Sequence, residues 1–385
     1  MSESVSAFMS KNNIRKFVCG AKARFERAAV KTAAALVLAS AFTACSPSES
    51  KSESNDGKPA TAYAITENGD TLCSYLAVTK DKASLGRLQG LVNNATKSKT
   101  GCLVLKAISE QGTVLTVDTA KSNTVGFFNP DNNSITLNEK FGNEILQSCL
   151  IHEGKHSVQN NALKLLPNYM YDFASNTIVS RAKEADAVAT QTKFSYEMMQ
   201  QGDSTAWKEL KGSHPAITRA FETQALRHGI DSKQAMNAAM LKWYDDIPYS
   251  SLYDASRLDY HSRMSRSNSG ENLKTMFSRT VNADSVITRI CALDGVSYAG
   301  TDGSVLKSPR TFSITSDMYT QAKRLCAYQA SKCGRSDSSV SGMYVVSKNN
   351  ERLDITYGQA AANLNAKVKA NAVSYQFAAR RYTGR

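Results

Sequence analysis

No C-x-x-C pair occurs in the 385 residues, which excludes the common structural zinc knuckles, and no glycine-rich phosphate loop, internal repeat or coiled-coil heptad is present. Basic residues outnumber acidic ones, 47 to 34, yet they are scattered rather than interleaved with aromatics. Nucleic acid is therefore not an expected partner. The apolar run from Thr32 to Cys45 is too short to span a bilayer as a stable helix. Histidine is scarce, with five in all, and two of the five flank a glutamate as His152-Glu153-x-x-His156. That concentration of a rare residue is the strongest chemical signal in the chain.

On a helix, residues four apart lie one above the other, so the imidazoles of His152 and His156 can grip one metal ion. Glu153 beside them is badly placed as a ligand but well placed as a base for a water molecule. Asn143 can cap a helix start, and Ile145, Leu146, Cys149 and Leu150 recur at helical spacing before the motif. Gly154 costs about 1 kcal/mol in a helix relative to Ala, so a close approach of a neighbouring element is expected there. The ion implied is Zn²⁺, and the chemistry is that of a zinc hydrolase.

The first 44 residues read as a secretory signal, with seven basic residues against two acidic ones ahead of the apolar run. Phe42-Thr43-Ala44-Cys45 resembles the lipobox of bacterial lipoproteins, with Phe in the usual Leu position; Met9 is an alternative start. That resemblance implies a chain lipidated at Cys45, facing the periplasm and sorted to the outer rather than the inner membrane because Ser46 follows the cysteine. Without the leader the net charge falls from +13 to about +8, mild enough for an ordinary solvated surface. Residues 45–62 are Ser, Lys, Glu and Pro with little to bury, and read as a flexible tether.

Residues 63–284 are expected to form one α+β domain, followed by a cysteine-containing extension at 285–385. A helix is predicted at 82–96, then strand-like runs near 102–108, 113–118 and 124–129, and a strand Ser134–Asn138 that would be the sheet edge open to an extended peptide. A small mixed sheet leading into the H-E-x-x-H helix, with a mainly helical remainder, is the zincin order. A long helix from about Tyr171 to Gln201 carries Glu184 among Ala182, Ala185, Ala187 and Ala189, small enough for close packing against the motif helix. Glu184 is the expected third metal ligand, with Asp186 as the alternative ligand or an acceptor for a ligand imidazole. Tyr260 and His261 are the candidates for stabilising an oxyanion, while His214 and His228 read as surface residues. Cys73, Cys102, Cys149, Cys291, Cys326 and Cys333 make an even set that, in an exported chain, favours disulfides. Cys73–Cys102 is one expected bridge, another lies among Cys291, Cys326 and Cys333, and Cys149 reads as a buried structural residue.

His152-Glu153-x-x-His156-Ser157-Val158-Gln159, preceded by Ile135-Thr136-Leu137-Asn138 and followed by Glu184-Ala185-Asp186-Ala187, resembles the gluzincin metallopeptidases. It is particularly similar to a bacterial family with an H-E-x-x-H-x-x-Q helix and a downstream E-A-D-A helix, over roughly residues 120–265. The resemblance implies Glu184 as third zinc ligand and Glu153 as general base. Several gluzincins place an Asp four residues after that Glu, whereas Asp186 lies two after. The expected activity is hydrolysis of peptide bonds in a protein, peptide or cell-wall peptide within the cell envelope. The alternatives are a non-catalytic envelope lipoprotein that binds a wall polymer or protein, and a peptidoglycan amidase or endopeptidase.

Overall fold

A computed structural model describes residues 59–119, 124–163, 167–268, 270–333, 342–346 and 352–353. The expected signal, lipidation site and most of the tether lie outside these residues. Among the described residues no helix is long and apolar enough to cross a membrane.

The chain starts with a hairpin of β1 (Ala60–Ile65) and β2 (Thr71–Thr79), which turns at Gly69 with φ +84°. The first strand thus begins inside the stretch read as tether. Helices α1 (Lys82–Ala95) and α2 (Lys99–Glu110) follow, then β3 (Val114–Asp118), β4 (Gly126–Asn129) and β5 (Ser134–Asn138). The five strands form one mixed sheet in the order β1-β2-β3-β5-β4. Parallel pairing joins β2 to β3 and β3 to β5; both outer pairs are antiparallel.

Two sequence expectations are corrected here. Residues 102–108 are helical, because Ser98 caps α2 by accepting from the Gly101 N–H and Glu197 accepts from the Thr100 N–H at 2.8 Å. The buried positions Thr100, Gly101, Val104, Leu105 and Ile108 then form a helical stripe. The strand Ser134–Asn138 is interior rather than an edge. Asn133 takes a left-handed φ of +48°, and the chain before it folds back so that β4 covers the outer side of β5 and becomes the edge itself.

Beyond the sheet the molecule is mainly helical. α3 (Asn143–Leu163) carries the histidine motif and packs beside α4 (Phe173–Gln200). α4 is the axis of the fold: all of its 28 residues except Lys183, Met199 and Gln200 are buried. Its Phe194 and Met198 enter the core under the sheet, whereas Phe173, Ile178, Val179 and Val188 enter a second core. Around that second core run α5 (Thr205–Ser213), α6 (Pro215–His228), α7 (Lys233–Trp243) and α8 (Ile247–Ser267), then, after the short α9 (Gly270–Thr275), which buries Leu273 in a small separate cluster, α10 (Ala283–Arg289) and α11 (Ser316–Cys333). The expected disulfides are not formed among the described residues: the Cys73 thiol donates to Leu105 O and the Cys102 thiol to Thr96 O.

Candidate metal centre

α3 and α4 lie side by side, and this contact brings three side chains from two elements to one point. His152 and His156, one turn apart on α3, meet edge to face with ring centroids 4.8 Å apart. Their Nε2 atoms are 3.2 Å apart, and Glu184 Oε2 of α4 lies 3.6 Å from one and 3.5 Å from the other. Donor atoms about 2.1 Å from a tetrahedral zinc lie roughly 3.4 Å from one another, so this near-equilateral triangle has the dimensions of a zinc face. Among the described residues it is also the group of three His, Cys, Asp or Glu ligand atoms close enough to hold one ion. The charges agree with that use. Burial pushes the Glu184 carboxyl up, but the two imidazoles outweigh it and hold the group well below the usual carboxylate range. Burial works to lower His156, yet the Glu184 carboxylate prevails and its pKa rises to about 9.

Two glutamines hold the rings. His156 Nδ1 is 2.9 Å from Gln159 Oε1, and His152 Nδ1 is 3.2 Å from Gln191 Oε1. An amide oxygen only accepts, so each ring carries a proton on Nδ1, and it is Nε2 that would give up its proton to turn a lone pair to the common point. The Gln159 amide donates in turn to Asp186 Oδ2 at 2.6 Å and to Lys183 O at 2.9 Å. Asp186 also accepts from the Tyr298 hydroxyl at 2.6 Å and faces Lys155 Nζ at 3.2 Å. Asp186 is therefore not in the triangle; it anchors the glutamine that anchors His156.

Glu153 lines the same cleft as His152. Its Oε2 accepts from the backbone N–H of Phe128 at 2.9 Å, so the sheet edge β4 positions it. Burial raises its pKa, with the nearby imidazoles opposing and Glu184 adding to the rise. The cleft between β4, α3, α4 and α5 is lined by Val125, Ile145, Ser148, Cys149, His152, Glu153, Gln191, Glu209, Leu210 and Ser213. Its cavity of about 10 Å³ has room for about one water molecule. Cys149 is buried against β4, where a Cβ on Gly126 would come within 2.8 Å of its sulfur, and burial lifts its thiol well above the ordinary value. It is structural.

A family model described as "Putative metallopeptidase family (DUF6782)" matches residues 66–299, more than half of the chain and all of the elements that form this centre. The chain belongs to this family. No curated protein and no solved structure matches it.

Tyr260 and His261 are buried on α8, but the structure does not bring them to the triangle. His261 is wedged between Phe173 and Phe277, with its Nε2 2.8 Å from the Asn176 amide. Asn176 precedes Glu184 on α4 by eight residues, roughly 12 Å of helix. His228 is exposed, as expected, whereas His214 is not a surface residue: it is 7% exposed at the junction of α5 and α6. Burial, with His152 adding, holds its pKa down to about 4, so its ring is neutral at pH 7. The surface reading of His214 failed because it sits in the turn before Pro215, where no periodicity marks a residue as buried.

Proposed function

We propose that this metallopeptidase-family chain is a zinc-dependent peptidase with a zincin-like core, in which His152, His156 and Glu184 hold Zn²⁺. The carrying observation is the triangle of 3.2, 3.5 and 3.6 Å formed by their ligand atoms. When bound, the ion would polarise a peptide carbonyl and acidify water. The chain's own residues do the rest. Glu153, with a raised pKa and one oxygen held by β4, takes the proton of a water molecule and returns it to the departing amine. β4 is the edge strand of the sheet, and apart from the Phe128 N–H bonded to Glu153 its outer edge is where a peptide would lie as an added strand. His214, buried, neutral and sensing the charge of His152, is our choice for the donor that stabilises the oxyanion, in place of Tyr260 and His261. Residues 42–45 support placement of the enzyme as a lipoprotein in the envelope, with envelope protein or wall peptide as substrate.

The test is Glu153→Gln in the full-length protein. Hydrolysis of a peptide library should fall by roughly 10²–10⁴-fold while one zinc per chain is retained. Undiminished turnover would remove the mechanism, and zinc-free wild-type protein would remove the metal.

A further inference from the structure

Outside the metal centre, the least satisfied polar groups lie together on α8. Arg257 is 3% exposed and His261 fully buried, four residues apart and thus on one face of the helix. Arg257 Nε and Nη2 and His261 Nδ1 are buried, and none of the three has a hydrogen-bond partner among the described residues. His261 can act only as a donor there. Its Nε2 accepts from the Asn176 amide at 2.8 Å, so the ring proton sits on Nδ1. The ring cannot turn away, being stacked on Phe277 at 4.4 Å and edge-on to Phe173 at 5.7 Å.

The charge of Arg257 is likewise uncompensated by any acid. No carboxylate among the described residues pairs with it, the nearby Arg263 has the same sign, and its neighbour on the face is the neutral Tyr260 ring at 5.9 Å. Water would satisfy the three N–H groups but leave a buried cation unneutralised. An anion would do both.

The free edge of the guanidinium identifies the anion. Nε and Nη2 are the fork that receives the two oxygens of a carboxylate, and the chain uses it so elsewhere. Arg181 presents Nε and Nη2 to Asp254 at 2.9 and 2.5 Å, and Arg310 presents the same pair to Asp245 at 2.9 Å each. We propose that Arg257 and His261 form a binding site for a carboxylate-bearing small molecule, with its two oxygens across the Nε–Nη2 edge and His261 Nδ1–H as the third donor. The site is separate from the metal triangle and does not depend on the activity assigned to it.

Thermal unfolding of the full-length protein in sodium acetate, against sodium chloride at equal ionic strength and pH 7.5, tests this. The wild-type Tm should climb with the logarithm of acetate concentration relative to chloride. Arg257→Met should abolish that climb and be no less stable than wild type in chloride, having lost an unneutralised buried cation. His261→Gln, which keeps the arginine, should weaken the climb. Identical wild-type Tm values in the two salts, or an acetate effect that survives in both variants, would overturn the proposal.

Discussion

At the scale of single residues, the metal centre depends on glutamines as much as on its ligands. Gln159 is 1% exposed and spans His156 and Asp186, so replacing it by leucine removes the acceptor from the imidazole and the donor from a buried carboxylate. Gln159→Leu should weaken zinc binding about 10–100-fold by competition with a chelator, with the helical circular dichroism unchanged. His152, Glu153 and His156 were legible because a helix turns fixed spacing into geometry. Glu184 was legible by its alanine-rich helix, which forecasts close contact. Gln191 was not, since nothing in the spacing of a buried helix says which amide will face which ring. His261 carries a prediction of another kind. Burial, with Arg257 adding, holds its pKa near 3, against about 6.5 in an unfolded chain. Unfolding in acid therefore takes up a proton: the contribution of His261 to stability is complete above about pH 6.5 and declines as the pH falls from there towards 3, by up to about 1.4 kcal/mol per unit. Urea denaturation at pH 7 and 4.5 should show a smaller loss for His261→Gln than for wild type.

At the scale of elements, Gly154 shows why two helices meet so closely. A Cβ there would lie 2.6 Å from Val104 Cγ1 on α2, a stiff branched side chain that cannot swing aside. Gly154→Ala should lower the unfolding free energy by about 1–3 kcal/mol despite its better helix propensity, and Val104→Ala in the same chain should restore much of the loss. The sequence announced this contact through a glycine with no propensity reason to be there, but not its partner, because CLVLKAI reads equally as a strand or a buried helix turn. The cap decided: Ser98, Thr100 and Glu197, 97 positions apart from Thr100, fix the start of α2, a long-range bond invisible to local pattern. The β1–β2 hairpin was missed although Asn68-Gly69 between two apolar runs is a strong turn signal. The rank of β5 in the sheet was missed because pairing order depends on where β4 returns.

At the scale of the whole molecule, parts distant in sequence are tied through α4. Arg181 bonds Asp254 of α8 and the carbonyls of Thr311 and Ser313, joining three regions at one buried guanidinium. Arg181→Met should cost about 3–5 kcal/mol in a denaturant titration, because it strands the Asp254 carboxylate 1% exposed. Tyr298 and Ala292, from the segment the sequence set apart as an extension, bond Asp186 and Lys155, so the far end of the family match braces the metal helix pair. Length alone could forecast a large domain, but not this wiring. The near-total enclosure of α4 also bears on how such a chain can change over time. One extra residue inserted between Phe173 and Lys183 would swing Glu184 by about 100° and slide it 1.5 Å. Every neighbour would lose its partner at once. Ancestral gains and losses of length are therefore to be sought in the surface loops, while the stretch from Phe173 to Gln200 keeps its register residue for residue.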